Sequence, residues 1–325
     1  MTDYPFEFAN ESYKVTDNGN GDVSVQLKHV KGKYPTAGAS RLREIMKEGR
    51  EDPKKVAAIC CSYDGLSSRQ VEEAGFPFLF LSGYSAAAAL GLPDTGYVGF
   101  QDLVLRIQEI TRQVNIPMIA DGDTGYGGLA SVYRTVQGFA EAGAAGVMIE
   151  DQKWPKKCGH TRGKEVVDRD EACARIKAAC EARNNGKDIF ILARTDALMV
   201  SFEEAVWRAN EFTRLGADAI FVEAIPDRDT MIKCINAIDN AVTANIIEGG
   251  KTELVSARDL AEIGFAAAFY PLTLLSARIK ATREALSNLK TSFMTGPPPM
   301  NLPFTDVCEQ VGFERYWEIE NKYAP

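Results

Sequence analysis

The run "IEDQKWPKKCGHTRG", residues 149–163, sets Glu150, Asp151, Lys156, Lys157, Cys158 and one of the chain's two histidines, His160, in one short stretch. Cys158 follows two lysines and precedes His160 by two, in a loop with Gly159 and Gly163 that leads toward a helix near Asp168. Neighbouring cations pull a thiol down from its usual pKa of about 8.5 toward neutrality. A thiol so tuned passes a proton at working pH, so Cys158 is expected to do chemistry, with Lys157 and His160 beside it. A lone cysteine is ordinarily a buried hydrophobe, but burial in apolar surroundings among Lys, Gly and His would be costly. His160 alone reads equally as a loop-ordering residue. It is not expected to bind metal, because the other histidine, His29, lies far off in the N-terminal arm.

A second group is acidic. "ADGDTG" carries Asp121 and Asp123, "IED" Glu150 and Asp151, "ART" and its next residue Arg194 and Asp196, "VEA" Glu223, and "NIIEGG" Asn245 and Glu248. Singly, such acids suit the N-termini of following helices. Converging on one rim they would repel unless a cation sat between them. Oxygen donors without thiolate or imidazole partners favour Mg²⁺ or Mn²⁺, and Arg194 among them implies an anionic substrate. A Schiff-base enzyme would need a lysine inside a barrel strand; here Lys55 only leads into one.

These residues share a position: each ends an apolar run. Eight runs recur, over residues 55–61, 76–83, 116–123, 144–151, 188–195, 218–224, 243–250 and 265–271. Unbroken apolar character marks strands buried on both faces, which pair in parallel through crossover helices. Helical patterns such as "SFEEAVWRANEFTRLG" lie between them, several closing on a glycine suited to a left-handed cap. Eight such units predict an α/β fold of the TIM-type (β/α)8 kind, whose site forms where the strands end. An open dinucleotide-binding sheet would need a longer glycine turn than "TGYGG" at 124–128. Residues 1–38 read as an N-terminal arm or hairpin, 39–294 as the barrel, and 295–325 as a linker, "TGPPPM", with one aromatic helix that packs on a neighbouring subunit.

Length and charge agree. At 325 residues the chain suffices for one large core. A net charge of -8 disfavours nucleic acid and anionic lipid as partners. No apolar run reaches spanning length and no leader pattern opens the chain, so a soluble cytoplasmic protein is expected. The seven cysteines lack metal spacing and a disulfide framework, and most read as core filler.

"KKCGH" at 156–160, supported by "SGYS" (82–85), "LGLPDTG" (90–96), "DGDTGYGG", "ARTDA" and "NIIEGGKT", resembles the isocitrate lyase and phosphoenolpyruvate mutase superfamily from about residue 40 onward. The cysteine loop is similar to that of its carbon–carbon lyases, among them the petal death protein group and the methylisocitrate lyases. The resemblance implies Mg²⁺-dependent cleavage of a 2-hydroxy dicarboxylate to an α-oxo acid; P–C bond chemistry on phosphonopyruvate or phosphoenolpyruvate, or a non-catalytic metabolite-binding role on the same fold, are the alternatives. Asp121 and Asp123 would then hold the metal, with Glu150 and Asp94 assisting. Ser82, Gly83, Tyr84 and Arg194 would bind the oxo-acid half, and Asn245, Glu223, His160 and Gly159 the other half. Cys158 would be the general acid in a loop, about 153–164, that closes over the substrate. A homotetramer, a dimer of dimers exchanging terminal helices, is implied as well. Oxaloacetate-hydrolysing relatives carry serine where Pro271 stands here, which points away from that activity.

Overall fold

The computed structural model describes residues 13–17, 23–27 and 30–324. Two short strands, β1 (Tyr13–Asp17) and β2 (Val23–Leu27), pair antiparallel; the turn expected between them and His29 lie outside the described residues. Each of the eight apolar runs then yields a strand: β3 (Ala57–Ser62), β4 (Leu79–Leu81), β5 (Met118–Asp121), β6 (Gly146–Glu150), β7 (Phe190–Thr195), β8 (Ala219–Val222), β9 (Val242–Asn245) and β10 (Ala267–Tyr270). All neighbours are parallel, and β10 closes on β3 to complete a barrel. Continuous burial along the strands explains their apolar sequences: every residue of β5, β6, β7 and β8 is buried.

The barrel interior is filled by side chains, as an eight-stranded barrel of this width requires. Phe269 packs edge-on against Phe80 and Phe221, with ring centres 5.1 and 5.6 Å apart. At the end of the barrel where strands begin, Arg43 is clamped between Asp188 (2.7 and 2.8 Å) and Asp218 (2.9 Å). Lys31 adds a further bond to Asp218, which ties the segment before the first barrel helix to the barrel.

That helix, α1 (Ala37–Glu51), packs closest at Gly49, where an added Cβ would lie 2.2 Å from the Ala266 carbonyl oxygen. The same oxygen accepts from the Ala57 amide, so it is not free to move. Gly49→Ala should gain about 1 kcal/mol of helix propensity and lose about 1–3 kcal/mol to overpacking. A net loss in thermal denaturation is expected, and a raised melting temperature would contradict this packing.

Glycine caps differ from expectation in one place. Gly264 ends its helix with φ 111°, in the left-handed region. Gly186 instead has φ -127° and continues extended toward the bridge between Tyr34 and Lys187. Residues after Thr273 form a second compact unit, Leu274–Pro325. Here the expected single aromatic helix is two, Phe304–Val311 and Phe313–Tyr323, broken at Gly312 with φ 90°.

Candidate active site

The strand ends bring the predicted residues around one cavity of about 400 Å³. Register alone sets part of it: Glu150 is paired with Arg194, and Arg194 with Phe221. Ser82, Tyr84, Asp94, Asp121, Glu150, Cys158, Gly159, His160, Arg194, Glu223, Asn245 and Pro271 all line it, and Lys157 reaches its edge. Phe80, Met148, Phe221 and Phe269 supply an apolar side.

Arg194 organises the acids. Its Nε lies 2.8 Å from Asp196 Oδ2 and 3.2 Å from Glu150 Oε2, and its Nη1 3.4 Å from Glu223 Oε2. Burial works against ionising Asp196, yet Arg194 and Lys164 outweigh it and hold its carboxyl down at about 2. Glu223 is likewise held below its usual range, burial being overcome by Arg194 and His160. Glu150 goes the other way, pushed well up by burial that Arg194 only partly offsets. Asp151 turns out of the cavity, bonded to Thr195 Oγ1 (2.6 Å) and Arg208 (3.1 Å), and serves the scaffold. Glu248 is exposed and accepts from Thr273 Oγ1 at 2.6 Å.

Asp121 and Asp123 meet across Gly122. Asp121 Oδ2 accepts from the Gly83 amide (3.0 Å) and Oδ1 from the Asp123 amide (3.1 Å). Gly83 therefore spends its N–H on an acid, whereas Ser82 and Tyr84 face the cavity. Asp123 stands at φ 48°, a left-handed backbone held only where the surroundings over-determine it. Burial first, then Asp121 and Asp94, push Asp123 up to about 6 despite Lys156.

The acid group fits a hard divalent cation in chemistry: carboxylate oxygens of Asp94, Asp121, Asp123 and Glu150 without a thiolate. Glu150 Oε1 and Asp123 Oδ1 are buried and receive no hydrogen bond. Among the described residues no three His, Cys, Asp or Glu side chains converge as a ready cage. Lys156 stands there instead. Its ammonium bonds to Asp94 and sits 2.7 Å from Asp123 Oδ1, an ion pair without hydrogen-bond direction.

This placement corrects the expectation for Cys158. Lys156 faces the acids and Lys157 Nζ turns to the Gly163 carbonyl, so neither cation tunes the sulfur. Burial pushes the Cys158 thiol above its ordinary value; a hydrogen bond from the His160 backbone and, less, Arg194 oppose this only in part, while Asp94 and Glu223 add to it. The thiol is thus held protonated, the form a general acid needs. Its loop is zipped at the base by the Lys153 amide to the Glu165 carbonyl (2.8 Å) and by the Gln152 side chain, which clasps the backbone of Lys157 at 2.9 and 3.0 Å. Gly159 lets the loop close on the acids, since a Cβ there would fall 2.4 Å from Glu223. His160 Nδ1 accepts the Lys251 amide at 2.9 Å, which leaves the proton on Nε2, 3.0 Å from Glu223 Oε1. Asn245 Nδ2 also approaches Glu223, at 3.3 Å.

Sequence reasoning missed the roles of Lys156, Lys164 and Lys251. Lys156 opens the quoted cysteine motif and Lys164 follows it, but nothing in their spacing says which carboxylate each will meet. The Lys251 amide has no residue-type signal.

Residues 46–290 match the family model described as phosphoenolpyruvate phosphomutase. The chain is 33% identical to 2,3-dimethylmalate lyase of Eubacterium barkeri, over 88% of this chain and 98% of that protein. It is 40% identical to the petal death protein of Dianthus caryophyllus, over 80% of this chain and 83% of that one. Among solved structures, oxaloacetate acetylhydrolase with the inhibitor 3,3-difluorooxalacetate superposes with a TM-score of 0.80 at 31% identity, covering 88% of this chain and 96% of that one.

Proposed function

The chain belongs to the phosphoenolpyruvate phosphomutase family, and on that premise we propose that it is a carbon–carbon lyase for a 2-hydroxy dicarboxylate of the 2-alkylmalate or 2-methylisocitrate type. The products are an α-oxo acid such as pyruvate and a second carboxylate. The observation that carries the reading is the Cys158 thiol, brought over a cavity that also holds Arg194, Glu223 and a buried acid group, where burial favours its protonated form.

Asp121, Asp123 and Glu150, with Asp94, would hold Mg²⁺, Mn²⁺ also suiting them, and the ion when bound supplies Lewis-acid polarisation of the substrate's C2 oxygen and adjacent carboxylate. Arg194, Ser82 and Tyr84 bind the carboxylate of the oxo-acid half. His160, through its Nε2 proton, together with Asn245 and Glu223, orients the other half. The C2 hydroxyl gives up its proton to a carboxylate of the acid group that lines the cavity, Glu150 being one of its members, as the C2–C3 bond breaks and the electron pair moves onto C3, spread into its carboxylate. Cys158 delivers its proton to that carbon. The loop around residues 153–164 excludes water from the carbanion.

The test is a panel of 2,3-dimethylmalate, other 2-alkylmalates, 2-methylisocitrate, isocitrate, oxaloacetate and phosphonopyruvate with Mg²⁺, scored by α-oxo acid or oxalate release. Turnover confined to phosphonopyruvate or oxaloacetate would replace this reading with the phosphonate or hydrolase branch. Pro271 offers no hydroxyl for the hydrolase, and its carbonyl already accepts from Ser85 Oγ at 3.3 Å.

The second unit exposes Phe293, Met294, Phe304, Tyr316 and Trp317. Such a surface supports assembly with further copies, and the inferred state is a homotetramer, a dimer of dimers exchanging C-terminal helices. Deleting residues 295–325 should lower the number of protomers per particle, read as light-scattering mass divided by the truncated protomer's mass; an unchanged number would refute the exchange. The seven unpaired cysteines support a reducing, cytoplasmic location, which cell fractionation tests.

A further inference from the structure

We propose that Lys156 and the divalent ion take the same anionic seat by turns: Lys156 holds the cysteine loop down over the acids when no ion is bound, and the entering ion displaces it. The inference rests on the metal reading above and concerns this chain's own lysine.

Asp94, Asp121, Asp123 and Glu150 all act on the Lys156 ammonium, although no three of them converge as a ready cage, and acids so grouped need a cation among them. Lys156 supplies one, 4% exposed, with its ammonium on Asp94 Oδ1 and 2.7 Å from Asp123 Oδ1. It is an incomplete substitute. A single charge with three donors leaves Glu150 Oε1 without any hydrogen bond, although Glu150 is 3% exposed. A doubly charged ion would answer more of this negative charge than one ammonium does, with Glu150 among the residues that would hold it. It would draw on the same Asp94 and Asp123 oxygens, and an ammonium kept against them would face a dication at close range. One of the two must leave.

The lysine is tethered to the chemistry. It lies two residues before Cys158, and the Gln152 clasp on Lys157 follows directly after it. Displacing its ammonium therefore removes one tie on the segment that carries the thiol and loosens it, while the Gln152 clasp on Lys157 and the Lys251 amide on His160 keep the displacement local. Metal entry would open the cavity before the substrate arrives. The loop would close again only when the substrate's carboxylates supply new negative charge for Lys156 to meet.

Mn²⁺ alone, without substrate, is titrated into wild type, Lys156→Met and Lys156→Arg, with free ion read by electron paramagnetic resonance and loop protection by hydrogen exchange of residues 153–164. Lys156→Met is expected to bind Mn²⁺ at least about tenfold more tightly than wild type, the size of effect common for coupled sites, and Lys156→Arg close to wild type. In wild type, Mn²⁺ should speed exchange across the loop; in Lys156→Met the exchange should already be fast and respond little. Equal or weaker binding by Lys156→Met overturns the proposal. So does a wild-type loop that Mn²⁺ protects, a measurement needing no variant. Absence of Mn²⁺ binding by every form would sink the metal reading of the site and this inference together, whereas binding indifferent to Lys156 sinks only the inference.

Discussion

Cys158→Ser should lower turnover by about 10²- to 10⁴-fold, the usual worth of a positioned general acid, with the fold and metal binding left intact. The sulfur is half-buried in the cavity that holds Arg194 and Glu223, and its loop is pinned from both sides by Gln152 and by the Lys251 amide on His160. Serine keeps the size and a hydrogen bond but is a far weaker acid toward carbon. Because burial holds the thiol above its ordinary value, activity should persist through neutral pH and fail only on the alkaline side. The sign follows directly: a proton donor is competent below its pKa, and raising that pKa extends the competent range upward. The wild-type alkaline limb should therefore lie above the usual thiol value of about 8.5 and vanish from the residual activity of Cys158→Ser. Wild-type turnover in that variant, or a wild-type limb falling below neutrality, would remove the cysteine from the reaction.

Arg194→Met is expected to cost about 3–5 kcal/mol of stability along with substrate binding, because removing one side of a buried ionic network leaves the other side uncompensated. Arg194 answers Asp196, Glu150 and Glu223 together. Lys164 still covers Asp196 at 2.6 Å, and His160 stands beside Glu223, so Glu150 is the group left most exposed to the loss. The pH dependence separates this from a simple cavity. Asp196, held at about 2 in the wild type, contributes stability that is present above its unfolded value and is lost as pH falls through about 2. The deficit of the variant should therefore be full at neutral pH and shrink as the acids take up protons. Urea unfolding at neutral pH and between the ordinary aspartate value of about 4 and about 2 measures it; a deficit of equal size in both ranges would mean that packing against Phe221, rather than charge, is what the arginine provides.

How much of this was legible beforehand depends on the kind of signal. The eight strands were readable because burial on both faces writes an unbroken apolar run, and that signal is local. The acids and Arg194 could be placed at strand ends for the same reason, since each terminates its run. Asp151 shows the limit: it directly follows Glu150, the last residue of β6, yet side chains of adjacent residues in extended chain face opposite sides, and it serves Arg208 and Thr195 instead of the cavity. The two terminal helices were merged into one because Gly312 inside an amphipathic pattern does not announce a break.

By itself, then, the amino-acid order determined the barrel, the rim on which the chemistry collects, and the residue types gathered there, because hydrophobic periodicity and side-chain class are properties of short segments. Only the tertiary structure decided which charge meets which. Lys156 and Lys157 look alike beside Cys158 in sequence, but one reaches across to Asp94 and Asp123 while the other folds back on Gly163. A thiol expected to be lowered by cations is raised by burial for that reason. Charges separated by 30 or 60 residues act through distance and dielectric, and those exist only once the chain has closed on itself.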